Sequence, residues 1–198
     1  MTEHEIKRYE ALNAVADKGG IVILGGSADK NIPLCELKQA FALSDRLYNR
    51  SFDDLTVADA REAYRTCAAP LAPERVLLHL GTADLAAFTA DPAKFDQQYR
   101  ALIAELRADS AAEIVIISHQ NPDNAPDLAE LNRHLAILAE SEHCAFGDIS
   151  TRRLWNPRET KEITSFIYSL GFVHPLKQKK PVYDLVKILF CSTPVCAG

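Results

Sequence analysis

Short, uninterrupted apolar runs separated by helical periods constrain this chain more than any other feature. Ile21-Val-Ile-Leu24 is β-branched or apolar at every position and lies between Gly19-Gly20 and Gly25-Gly26. A strand with no polar alternation needs apolar neighbours on both faces, which points to a parallel sheet covered by helices on either side. Arg75 to Leu80 and Ile114 to Ile117 repeat the pattern, and Cys144 to Ile149 is a weaker copy. A first helix is expected from the capping-box spacing Thr2-x-x-Glu5, with Ile6, Tyr9, Leu12 and Val15 along one side and Gly19-Gly20 to end it. Further helical periods follow at Val57, Ala60, Tyr64 and Cys67 after Thr56, from Phe95 to Leu106, and from Leu128 to Leu138. Pro181 can open a last helix carrying Val182, Leu185, Val186 and Leu189. Strands alternating with helices predict an α/β fold of three layers, α/β/α. The 198 residues, 47% hydrophobic and 25% charged, suit one globular domain spanning 1–198.

Charge and cysteine usage exclude several function classes. Asp and Glu outnumber Lys and Arg by 27 to 22, a net charge of −5, so the basic excess needed to hold a phosphate backbone is missing and nucleic acid is not an expected partner. Met1 to Lys18 carries charges throughout, unlike a signal peptide or membrane anchor, and a cytoplasmic location is expected. The cysteines, Cys35, Cys67, Cys144, Cys191 and Cys196, are odd in number and form no Cys-x-x-Cys pair, which argues against a disulfide framework or a metal knot and for mostly buried thiols. Leu24-Gly-Gly-Ser-Ala-Asp29 has neither a third glycine nor a Lys-Ser or Lys-Thr pair, so no nucleotide cofactor is expected.

In parallel α/β sheets, ligands bind where loops leave the carboxyl ends of the strands. Three such loops carry polar groups: Gly25-Gly-Ser27-Ala-Asp29, Gly81-Thr-Ala83-Asp84 and Ser118-His119-Gln-Asn121; near the C-terminus lies Gly171-Phe-Val-His174-Pro175. Ser27 and His174 are the nucleophile and base candidates, since a serine hydroxyl is inert at neutral pH until an imidazole accepts its proton.

At these residues the chain resembles the SGNH/GDSL hydrolases. Gly-Gly-Ser27 falls where that family has its Gly-Asp-Ser turn, and Tyr48 to Thr56 resembles the block bearing an oxyanion glycine. Gly81-Thr-Ala83-Asp84 is similar to the Gly-x-Asn-Asp block, and Gly171-Phe-Val-His174 to the Asp-x-x-His block. The resemblance implies a flavodoxin-like sheet and hydrolysis of a small ester, such as an acetylated sugar or short acyl ester, by Ser27 and His174 without metal or cofactor. It also marks Asp54, Ala83 and Asp84 as oxyanion or substrate-binding positions. The chain departs from the family where chemistry is supported: Gly171 stands in place of the carboxylate that orients the imidazole, Ala83 in place of the oxyanion asparagine, and Asp54 in place of the glycine. Such thinning is also what a degenerate binding protein of this fold would show.

Other residues have blander readings. Asp84 is expected to cap the following helix or tie two loops together. His119 is expected to be a hydrogen-bonded structural histidine, His79 to pack in the core region, and Trp155 to line a pocket or cap the core. Substrate identity and oligomeric state are not fixed by these motifs.

Overall fold

The structure, a computed structural model, describes residues 1–150 except 31, 33, 41, 42 and 122. The predicted helix from Pro181, together with Trp155, Gly171, His174, Cys191 and Cys196, lies outside the described residues.

The strands β1 (Ile21–Gly25), β2 (Leu47–Asn49), β3 (Arg75–His79), β4 (Glu113–Ile117) and β5 (Ala145–Gly147) form one sheet in the order β2-β1-β3-β4-β5. Every pairing is parallel. This is the flavodoxin-like order, whose direction of winding reverses between β1 and β3 and opens a crevice there. The register sets Leu24 opposite Leu78 and Gly25 opposite His79, so the loops after β1 and β3 leave the sheet side by side.

The continuous apolar runs are buried on both faces. Val22, Leu24, Val76, Leu78, Ile114 and Ile116 join the main core with residues of α3 (Val57–Ala63), α5 (Pro92–Asp109) and α6 (Pro126–Ser141). Their alternates Ile21, Ile23, Leu77, Val115 and Ile117 are buried as well. Thr56 caps α3 by accepting from the Asp59 N–H, and the helix runs on through a π turn, Tyr64–Ala68. Within that turn Cys67 is fully buried, and desolvation pushes its thiol up to about 11.

The first helix, α1 (Glu3–Val15), has the expected capping box, but its predicted apolar side is only partly used. Ile6 and Tyr9 pack on the core, whereas Leu12 and Val15 are exposed. Polar contacts do the docking instead. Tyr9 donates to the Ser51 carbonyl at 2.6 Å, and Asn13 donates to the Cys67 carbonyl and accepts from buried Arg50. Arg50 also stacks over the rings of Tyr9 and Tyr48. The sequence pattern missed two elements, α2 (Leu34–Ala40) and the edge strand β2. Cys35 on α2 is exposed, against the expectation of buried thiols, while Cys144 is half-buried.

Candidate active site at the carboxyl edge of β1 and β3

Beyond β2 the chain keeps pairing with β1. The Arg50 N–H donates to Ile23 at 2.8 Å and the Phe52 N–H to Gly25 at 3.1 Å, which carries the next residues up to the turn that bears Ser27. Asp54 then takes a left-handed conformation, φ 49°, one that glycine adopts without steric cost and an aspartate adopts only uncommonly. In this conformation its backbone N–H donates to Ser27 Oγ at 2.9 Å. Its side chain turns the same way, and the Ser27 hydroxyl donates to Asp54 Oδ1 at 3.3 Å. The carboxylate therefore faces the serine and does not point away.

On the β3 side, Ala83 is exposed and brings no polar side chain to the crevice, while Thr82 Oγ1 lies 3.9 Å from where a Gly26 side chain would begin. Asp84 stands at the N-cap position of α4 (Leu85–Ala90), yet its side chain makes no bond to that helix. Instead both carboxylate oxygens accept from the Val57 N–H, at 3.0 and 3.3 Å, across the N-terminus of α3. Burial raises the Asp84 carboxyl above its ordinary value, with the Val57 N–H opposing and Asp59 adding to the shift. Asp84 thus ties two loops together, the second of its expected roles.

Beneath Ser27 lies a polar floor that motif reading did not pick out. Asp29, two residues past the serine, holds His79 Nδ1 with both carboxylate oxygens at 2.8 Å, and both side chains are buried. The Asp29 carbonyl accepts from Asn49 Nδ2 at 2.6 Å, so the turn is also fastened to β2. The His79 ring stacks on His119 with centroids 4.4 Å apart. His119 reaches the Leu80 carbonyl through Nε2 at 3.1 Å, and its backbone exchanges two bonds with the Asn132 side chain. Burial, then the neighbouring His79, lowers His119 to about 3, with the Leu80 contact opposing. It is a neutral structural histidine, as expected. His79 Nε2 is buried with no hydrogen-bond partner among the described residues.

A cavity of about 530 Å³ opens farther along the same edge, lined by Ser118, Asn132, Arg133, Phe146, Asp148 and others. Ser27, Asp54, Ala83 and Asp84 do not line it. The geometry brings Ser27 and Asp54 together and commits the Asp84 carboxylate to the Val57 N–H. His174 lies outside the described residues. The sequence signal for the floor was His79 itself, since a buried histidine ending an apolar strand needs a partner, and the register supplies one from the loop next door.

No family model matches the sequence, and no curated protein does. Solved structures do. A GDSL-like lipase from Bacteroides thetaiotaomicron aligns at 15% identity with a TM-score of 0.59, covering 84% of this chain and 96% of the lipase. The fold is shared with GDSL-like lipases. A psychrotrophic esterase from a Pseudoalteromonas species aligns at 16% identity with a TM-score of 0.57, covering 78% of this chain and 97% of the esterase. An acetyl xylan esterase aligns at 14% identity with a TM-score of 0.58, covering 77% and 100%. Likeness at this level of identity concerns the fold; Ser27 and Asp54 meet at the β1/β3 crevice, where folds of this strand order bind ligands.

Proposed function

We propose that the protein is a serine ester hydrolase of the SGNH/GDSL type acting on a small ester. Ser27 Oγ attacks the acyl carbon, His174 takes the hydroxyl proton and returns it to the leaving alcohol, and water then hydrolyses the acyl-serine by the reverse relay. The Asp54 N–H, 2.9 Å from Ser27 Oγ, is the observation that carries this reading. A fixed backbone donor beside the nucleophile is suited to the negative charge that develops on the carbonyl oxygen. The esterases and lipases among the structural neighbours support the same reaction class.

The supporting groups are thin. Without a carboxylate at Gly171 the imidazole is neither held in the right tautomer nor compensated when charged, a loss of about 10⁴ in turnover. An alanine at position 83 removes a donor of the kind whose loss costs about 10²–10³, though such losses do not multiply within one catalytic unit. Slow turnover of activated short-chain esters is expected. It is abolished by Ser27→Ala, improved by Gly171→Asp, and left without the further gain Ala83→Asn would bring while the Asp54 carboxylate faces the serine.

A p-nitrophenyl acetate assay on these variants is the test. Activity indifferent to Ser27→Ala rejects the nucleophile. Absence of Ser27-dependent activity in every variant, including against acetylated sugars, favours instead a binding protein of this fold, a reading consistent with a Ser27 hydroxyl already engaged on both sides by Asp54.

A further inference from the structure

We infer that Asp54 makes this site selective for esters that carry a positive charge close to the scissile bond, an inference that rests on Ser27 being the nucleophile. Two neighbouring carboxylates stand over the Ser27 turn, and their surroundings differ. Asp53 pairs with Lys30, which also pairs with Glu5 at 2.6 Å, so one ammonium is shared by two carboxylates. The bridge is tight, holding Lys30 up at about 12 and Glu5 down at about 2. Asp54 forms no ion pair among the described residues, and its polar side-chain contact there is the Ser27 hydroxyl.

The left-handed backbone explains why this charge stays in place. The φ of 49° that presents the Asp54 N–H to Ser27 Oγ is the conformation that aims the side chain at the same oxygen. A substrate using the N–H therefore meets the carboxylate. The side chain is exposed at the mouth of the turn, so the leaving group and acyl substituents pass within a few ångströms of it. A unit charge at about 5 Å in partly aqueous surroundings changes kcat/KM by about five-fold or more, favouring a cation and penalising an anion. Lys30 cannot cancel this, because it is committed to Glu5 and Asp53. Quaternary ammonium or amino-bearing esters are the matching class, and esters with a carboxylate or phosphate near the reacting carbonyl are disfavoured by a similar factor.

The experiment uses three thioacetates that share the acetyl group and differ in the leaving thiol: acetylthiocholine, its neutral isostere 3,3-dimethylbutyl thioacetate, and S-acetyl-3-mercaptopropionate. Each is assayed at low and high salt with wild type, Asp54→Asn and Ser27→Ala. Asparagine keeps the backbone N–H and tolerates positive φ, so this variant removes the charge alone. Wild type is expected to favour the cationic over the neutral thioester by about five-fold or more at low salt, with the anionic one slowest. The part of this preference that exceeds the thioesters' own difference in reactivity toward hydroxide should shrink in high salt and vanish in Asp54→Asn.

A cationic-to-neutral ratio that Asp54→Asn leaves unchanged overturns the inference while leaving the hydrolase reading intact. Hydrolysis that is absent or independent of Ser27 overturns the hydrolase reading. In that event binding of choline against 3,3-dimethylbutanol, followed at the Ser27 and Asp54 amides by NMR, decides the inference. Tighter choline binding in wild type, lost in Asp54→Asn, upholds it; equal binding overturns it.

Discussion

The two levels of the carboxyl edge are built in opposite ways. The floor, from Asp29 through His79 and His119 to Asn132, is buried and bonded through almost every polar atom. The upper level, Ser27 with Asp54, is accessible and held by two hydrogen bonds between the same pair of residues. A nucleophile of the kind proposed for Ser27 gains precision from rigid support beneath it and needs access above, so the proposal assigns stability to the floor and chemistry to the upper level. Substitutions in the floor should therefore be read in melting experiments, and substitutions above it in reactivity.

The largest expected effect comes from Asp29→Ala. It strands His79 in a buried position without its carboxylate and frees the turn from β3, at a cost of about 2–4 kcal/mol. Thermal unfolding should show the loss, with altered NMR shifts at Ser27; an unchanged melting temperature would mean that the floor does not hold the turn. Gly25→Ala probes the same contact from the strand. A Cβ there would lie 2.1 Å from Asp29 Oδ2 and 2.7 Å from its Cγ, with Asp29 already fixed by His79. A loss of about 1–3 kcal/mol is expected, and a neutral result would show that Asp29 has room to move.

Burial governs which of these features the sequence announces. Continuous runs such as Ile21–Leu24 marked interior parallel strands because burial on both faces leaves no polar alternation. Leu47-Tyr48-Asn49 escaped because a three-residue, half-buried edge strand has almost no pattern to read. Leu12 and Val15 misled because α1 docks through Tyr9 and Asn13. Ser27 and the Asp54 position were visible through short motifs, whereas Asp29 and His79 are 50 residues apart and meet only once β1 and β3 are in register. The direction of the Asp54 side chain was equally out of reach, since it follows from a positive φ that the sequence does not announce.

Acid should weaken the floor in a defined window. His119 falls from 6.5 to about 3 on folding, so below pH 6.5 the unfolded chain takes up a proton that the folded chain refuses. Its contribution is complete above that pH and declines by up to about 1.4 kcal/mol per unit as the pH falls toward 3. Asp84, raised by burial, acts in the opposite sense nearer the carboxylate range, so the histidine is isolated by comparing wild type with His119→Leu. Chemical denaturation from pH 7 to 5 should show a shallower slope in the variant; equal slopes would assign the acid sensitivity elsewhere. The smallest effect belongs to the upper level. Asp54→Gly relieves the left-handed backbone but adds unfolded-state freedom, leaving stability within about 1 kcal/mol of wild type.

Whether the crevice between β1 and β3 presents Ser27 as a nucleophile is read out by labelling with an alkyl fluorophosphonate followed by mass-spectrometric mapping. Attack by Ser27 Oγ forms an oxygen–phosphorus bond and expels fluoride, so it reports the nucleophile without needing the true substrate. One adduct is expected, on Ser27, lost in Ser27→Ala, weakened in His174→Ala and faster in Gly171→Asp. An adduct on another residue, or an unlabelled Ser27 even in Gly171→Asp, would contradict the nucleophile assignment.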